Sequence, residues 1–209
     1  MLILTYSVEL CGPSFQAPPV LARSTVRHFL AAVFLAVQFS IAGNTVTWAQ
    51  EPSEYQVKAA FLYNFTKFVD WPQTSGNDTQ GPLEICVIGD DPFGDDLDKI
   101  VKGKSVNERP LVVRRLRGAV DARTCSIAFV SSSERGHLRP ILEALRGTSV
   151  LSVGDTPGFA KMGGVINFIL QDNRVRFEIN VDAAQRARLK ISSKLLSLAK
   201  VVRSKDSGG

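Results

Sequence analysis

The sequence predicts an α/β fold: one compact domain with a mostly parallel central sheet, flanked by helices and completed by a C-terminal hairpin and a final helix. Three observations predict it. Short apolar runs at residues 83–88, 111–116, 125–130 and 150–153 alternate with amphipathic or capped segments, which is the pattern of strands joined by helical crossovers. The first segment of the domain has helical periodicity instead. The last third changes rhythm, with two alternating strands closely spaced about a polar turn.

The first helix is expected over residues 54–69. Val57, Phe61, Phe65 and Phe68 recur at spacings of three and four, Ala60 and Val69 widen the stripe, and Pro72 lies just past the end. Residues 72–82, rich in Gln, Thr, Ser, Gly and Asp, form a linker. After the strand at 83–88, Asp91 and Pro92 suit the start of a helix over about residues 93–101. Ser131-Ser132-Ser133-Glu134 caps another helix that runs to about Leu145 and ends at Gly147. Gly163-Gly164 leads into a strand at 165–170. Gln171-Asp172-Asn173-Arg174 then turns the chain into a strand at 175–179. Residues 180–200 read as one final helix, and the tail beyond Val202 is expected to fray.

The chain has 209 residues, 22% charged and 44% hydrophobic, with formal net charge +5. That composition suits a globular protein and argues against disorder. The basic residues are dispersed. The densest group, Arg114-Arg115-Leu116-Arg117, reads as the solvated end of a strand, so no nucleic-acid partner is expected.

Near the start, an apolar run opens at residues 28–37 and continues loosely to Ala42. Arg23 and Arg27 precede it, and Thr47-Trp48-Ala49 follows with small residues at both positions a signal peptidase reads. Gln38 and Ser40 interrupt the run, which falls short of a membrane span. Residues 1–49 are therefore expected to be a signal peptide, with a retained anchor as the alternative. The first 20 residues look like an over-long gene start, with the initiator nearer Val20 or Val26. Residues 50–205 form the exported domain, and 206–209 a disordered tail. Removing the leader takes Cys11 with it and leaves Cys86 and Cys125. The two can form a disulfide if their strands are neighbours, or can serve as small buried apolar side chains.

Chemical sites are sparse. Gly89-Asp90-Asp91-Pro92-Phe93-Gly94 lacks the closely spaced glycines of a dinucleotide loop and reads as a turn and cap. The acidic group Asp90, Asp91, Asp95, Asp96 and Asp98 lacks the calcium-hand pattern. One mature histidine, His137, and two separated cysteines give no zinc spacing. His137 lies four residues past Ser133, but no GxSxG elbow accompanies them; capping by serine and an exposed histidine explain the letters. No cofactor, metal or catalytic residue is expected, and the chain reads as a non-enzyme. A binding module for a small extracellular ligand, with its site in an α/β crevice, is the second reading. A hydrolase built on the serine-rich turn is the third.

Several blocks stand out together along the domain: residues 54–72, with Tyr55, Phe61, Tyr63, Phe65, Phe68 and Trp71, and Ile85-Cys86-Val87-Ile88-Gly89-Asp90-Asp91-Pro92-Phe93. Gly158-Phe159-Ala160, Gly163-Gly164-Val165-Ile166-Asn167-Phe168, Val175-Arg176-Phe177-Glu178-Ile179-Asn180 and residues 190–199 follow in order. In these blocks the domain resembles the YfiR family of bacterial periplasmic proteins.

The resemblance implies a periplasmic repressor. It would bind the periplasmic part of an inner-membrane diguanylate cyclase, be sequestered by an outer-membrane peptidoglycan-associated lipoprotein, and often form a homodimer. Relief would raise cyclic di-GMP inside the cell and favour biofilm. Cyclic di-GMP itself is made across the membrane and would not be a ligand. Similar domains serve as extracytoplasmic input modules of sensor kinases, which gives the small-ligand reading a second receptor. The first cysteine pair of the family pattern matches Cys86 and Cys125, which implies the bridge. The family's second, adjacent pair is missing from Phe159-Ala160-Lys161-Met162, so switching by that pair does not carry over. The expected partner surface joins the aromatic helix to the loop at 158–164, with Tyr63, Phe68, Trp71, Phe159 and Met162 as contacts.

Overall fold

The computed structural model describes residues 52–72 and 81–203. The expected leader, most of the linker and the last residues of the tail lie outside them. The domain begins with helix α1 (Glu54–Phe68), which runs directly into β1 (Val69–Asp70). Then follow β2 (Leu83–Ile88), α2 (Asp95–Val101), β3 (Ser105–Val106), β4 (Arg109–Leu116) and β5 (Ile127–Val130). Next come α3 (Leu138–Ala144), β6 (Leu151–Gly154), β7 (Ile166–Gln171) and β8 (Arg174–Asn180). The chain finishes with α4 (Val181–Arg186), β9 (Lys190–Ile191), α5 (Ser193–Leu198) and β10 (Lys200–Val202).

Eight strands form the central sheet in the order β10-β8-β7-β6-β5-β2-β4-β3. Its pairs are parallel except β7–β8 and β3–β4. The sheet is thus the expected mostly parallel one, buried on both faces as such sheets must be. One face presents Ile85, Val87, Ile127, Phe129, Leu151 and Val153 to α1 and α2. The other presents Cys86, Ile88, Ala128 and Val130 to α3 and the residues around Phe159. The alternation follows from the two-residue period of a strand.

The hairpin forms where Gln171-Asp172-Asn173-Arg174 predicts it. Asp172 and Asn173 have φ of 50° and 58°, the left-handed pair of a two-residue hairpin turn. A second such turn, with Asn107 at 51° and Glu108 at 66°, joins β3 to β4. It is absent from the sequence reading because glutamate rarely signals positive φ.

The final third departs from expectation. Residues 180–200 are not one helix. α4 is capped by the Asn180 side chain, which accepts from the Ala183 N–H at 3.0 Å. It stops after one and a half turns because Arg188 is left-handed (φ 57°) and the Leu189 N–H returns to the Ala184 carbonyl. Ser192 then caps α5. These breaks free two strands: β9 pairs antiparallel with β1, and β10 lies parallel to β8 at the end of the sheet. The helix expected from Ser131 to Leu145 is also divided, into a 3-10 segment at Ser132–His137 and α3.

Cys86 and Cys125 form a disulfide across 39 positions of sequence, with Cα atoms 6.1 Å apart. Cys86 lies in β2, and Cys125 ends the 3-10 turn Val120–Thr124 just before β5, the strand beside β2. Neighbouring parallel strands thus supply the adjacency the bridge needs. Cross-linking a loop of this size stabilises by about 2–4 kcal/mol, chiefly by restricting the unfolded chain. The Cys86→Ala/Cys125→Ala variant should lose about that much in equilibrium denaturation, with an unchanged circular dichroism spectrum before the transition; reductant should lower the wild type to the same midpoint.

Candidate interaction surface

Helix α1 starts at a capping box. The Ser53 hydroxyl accepts from the Gln56 N–H, and the Gln56 side chain accepts from the Ser53 N–H at 2.9 Å. The side that packs on the sheet is Lys58, Ala59, Leu62, Phe65 and Thr66. Val57, Phe61 and Phe68, expected at the centre of the buried stripe, lie at its half-buried margin. Lys58 in the buried set is the finding that hydropathy does not predict.

The Lys58 ammonium is 2.8 Å from Asp155 Oδ2 and 2.6 Å from Glu54 Oε1, and it sits over the Tyr55 ring at 4.2 Å. Only 5% of its side chain and 4% of that of Asp155 is exposed. The Tyr55 hydroxyl donates to the same Asp155 oxygen at 3.0 Å. Burial works against the Lys58 charge, but the hydrogen bonds to Asp155 and Glu54 outweigh it and raise the lysine above its ordinary value. The stability that the lysine's raised value adds is therefore fully present at neutral pH and is lost as pH rises through that raised value. Burial, then the charge of Asp155, push the Tyr55 phenol up, so it remains a donor.

Asp155 follows the carboxyl end of β6, whereas Trp71, beyond the other end of α1, donates from Nε1 to the Ser126 carbonyl just before β5 begins. α1 therefore lies across the sheet antiparallel to its parallel strands and is fixed at both ends. The β1–β9 pairing and the Ser192 N–H to Phe68 carbonyl bond secure its exit.

The five expected contact residues do not form one surface. Tyr63, Phe68 and Trp71 are half-buried on the α1 side. Lys67 lies over the Tyr63 ring at 4.0 Å, and Lys194 of α5 is 5.4 Å from the Phe68 ring. At about 100° per residue, Tyr63 and Phe68 are separated by about 140° around the helix, so they border the outward arc from opposite sides. Phe159 requires a correction. It is fully buried in the core of the opposite face, where its ring is clasped between Gly154 and Gly164. A Cβ on Gly154 would come within 2.8 Å of that ring, which is why the approach needs glycine. Phe159 can therefore shape the 158–164 loop but cannot itself touch a partner. Met162 is 41% exposed, but on the side of the sheet that carries α3.

That second side is ordered by polar groups. The Asn180 amide donates to the Ala160 carbonyl at 2.6 Å. The Asn167 amide nitrogen, turned toward the loop, donates to the Thr156 and Gly154 carbonyls at 3.1 and 3.3 Å. Both asparagines are buried, and the Lys200 ammonium reaches Glu178 beside them at 3.0 Å.

The catalytic and metal alternatives gain no geometry among the described residues. The Ser133 hydroxyl accepts from the Asp90 N–H at 3.0 Å, so the 3-10 segment after β5 closes over the turn after β2. His137 faces Glu134 at 3.2 Å and is largely exposed. Glu84, Cys86 and Cys125 lie together, but both sulfurs are in the bridge and offer no thiolate. Among the acidic residues, Asp91 and Asp98 instead hold the Arg115 guanidinium, which also donates to the Gly94 carbonyl at 3.0 Å.

The fold is that of an α/β domain with one internal disulfide. The chain belongs to the YfiR/HmsC-like family, which it matches over residues 55–200. Membership points to a periplasmic regulator of diguanylate cyclase signalling, and the family is not a catalytic one. Two solved structures resemble the chain more distantly. A conserved domain protein from Vibrio cholerae O1 biovar eltor has 11% identity and TM-score 0.48, covering 73% of this chain and 60% of that one. The ABC domain in complex with L-Trp from Streptococcus pneumonia has 9% identity and TM-score 0.41, covering 57% of this chain and 54% of that one. No helix among the described residues is long and apolar enough to cross a membrane.

The Lys58–Asp155 pair gives a direct test. Removing the lysine strands the buried Asp155 carboxylate, with the Tyr55 hydroxyl still donating to it, and costs about 3–5 kcal/mol. Lys58→Met should show that loss in denaturant unfolding. Lys58→Met combined with Asp155→Leu should recover more than half of it, because no buried carboxylate is left unpaired and Glu54, 42% exposed, stays solvated. A loss under about 1 kcal/mol for Lys58→Met would mean that the pair does not hold α1.

Proposed function

We propose that the domain is a periplasmic repressor that binds the periplasmic part of an inner-membrane diguanylate cyclase and lowers its output. The family match, which spans nearly all of the folded domain, carries this reading. The outward arc of α1 supports it as the place of contact. That arc combines partly covered aromatic rings with cations, namely Tyr63 with Lys67 and Phe68 with Lys194. Such amphipathic rings are favoured in protein interfaces, where the apolar body is buried and the polar end stays solvated. The helix is anchored at both ends, so a partner meets a preformed surface and little ordering is needed on binding.

Repression requires more than contact. The domain must bind one state of the cyclase more tightly than the other, by as much as it shifts their balance. Sequestration by an outer-membrane peptidoglycan-associated lipoprotein fits the same logic if the lipoprotein competes for this surface. Met162 belongs to a separate footprint on the opposite side, so the α1 contact does not depend on it. A homodimer is compatible with the reading but not required by it.

Native pull-down from solubilised membranes tests the assignment. The wild-type protein should recover a diguanylate cyclase in stoichiometric amount. Tyr63→Ala should weaken that recovery by about tenfold or more, as expected for an interface aromatic, while keeping the disulfide and the thermal midpoint. Deleting the gene should raise cyclic di-GMP. An unchanged level across several growth conditions would contradict repression.

A further inference from the structure

A cleft of about 490 Å³ opens on the α3 side of the domain, beyond the start of β6 and β7. Three stretches of chain line it: α3 with the turn after it and the start of β6, residues 161–165, and α4 with the residue that follows it. Its charged lining is unbalanced. Arg139, Arg146, Lys161 and Arg186 face it, against the single carboxylate of Glu143. Glu143 is already paired with Arg146 at 3.0 Å. Arg139 and Lys161 make no ion pair among the described residues, and both are exposed.

We infer that this cleft is a binding site for a small polyanion, a molecule carrying two or more carboxylate or phosphate groups. The volume lies within the roughly 300–1,000 Å³ of small-molecule sites, and concavity favours a compact ligand over a flat macromolecular surface. Converging like charges repel one another and raise the local potential, so an anion that bridges them relieves that repulsion. Guanidinium groups suit planar carboxylate or phosphate oxygens, and the lysine adds a point charge.

The site also differs from the place where an α/β sheet ordinarily holds a ligand. That crevice lies beyond the carboxyl ends of β2 and β5, where the strand order reverses. Here it is filled by the chain itself: a Cβ on Gly89 would come within 2.5 Å of the Ser133 hydroxyl and 2.8 Å of Glu134. The cleft is instead bordered by Met162, on the loop that packs over Phe159. A bound anion would therefore join that loop to α3 and α4 without contacting α1. The inference is independent of the repressor reading, since it concerns only this cleft.

Calorimetric titration of the purified protein with pyrophosphate and with citrate, at ionic strength fixed with sodium chloride, tests it. One saturable site is expected for at least one probe. Saturation by pyrophosphate alone would assign a phosphoryl ligand, by citrate alone a carboxylate ligand, and by both a site selective for charge. Arg139→Glu/Lys161→Glu should weaken binding by about tenfold or more, as loss of charged hydrogen-bond donors does. Lys161→Arg should retain it. Both positions are on the surface, and an unchanged thermal midpoint would confirm folding. Absence of saturation by either probe, or equal binding by the charge-reversed variant, would overturn the proposal.

Discussion

The contact on which the domain's architecture turns is the buried ion pair between Lys58 and Asp155. A lysine placed against a sheet is costly unless its charge is met. Asp155, fixed just beyond β6, meets it at 2.8 Å through Oδ2, and Glu54 and Tyr55 add further contacts, whereas Asp155 Oδ1 is buried without a hydrogen bond. The pair specifies more than the presence of α1. It sets which face of the helix is turned inward and aligns its N-terminal turn with the carboxyl edge of the sheet. An apolar residue at 58 would add area but would not select Asp155 as its neighbour, so the pair contributes register. Trp71 and the β1–β9 pairing then fix the opposite end.

The two faces of the sheet are held by different means. The α1 face is an apolar and aromatic core, in which Phe61, Phe65, Phe168 and Phe177 contact one another at ring distances of 5.3 to 6.1 Å. The other face has less apolar surface and more specific links: one disulfide, the Asn167 and Asn180 bonds, and the close fit of Phe159 against two glycines. These links place the loop at 158–164 where it borders the cleft. Backbone hydrogen bonds within residues 158–164 and the bond from the Val165 N–H to the Ser152 hydroxyl hold that loop as well.

Much of the fold was legible because strand and helix periods leave different apolar patterns. The continuous runs of β2 and β5 and the alternation of β8 all carried through, as did the Asp172-Asn173 turn. Composition could not reveal the break at Arg188, since arginine is a good helix former and its left-handed backbone is imposed by the following β9 and α5. The candidate surface was less legible for a related reason. Phe159 and Met162 are three positions apart, yet one fills the core and the other meets solvent. Ring-rich sequence marks both a core and an interface, and only the position of Gly154 and Gly164 decides for Phe159. Lys58 was hidden by its own chemistry, because a lysine amid apolar residues reads as the wet side of a helix until its partner, nearly a hundred positions away, is known.

The Lys58–Asp155 pair, the Trp71 bond and the β1–β9 pairing anchor α1 at both ends, and in the proposed function they present its outward arc to a partner. In that account, a partner docks on the outward arc without unfolding or rotating the helix. Hydrogen–deuterium exchange of the protein alone and in complex with its solubilised membrane partner measures this most directly. Slow exchange of α1 amides is expected in the free protein, with added protection on binding concentrated in α1 and the adjoining residues 190–198. Fast exchange throughout α1 before binding, or protection confined to residues 158–164 with none on α1, would contradict it.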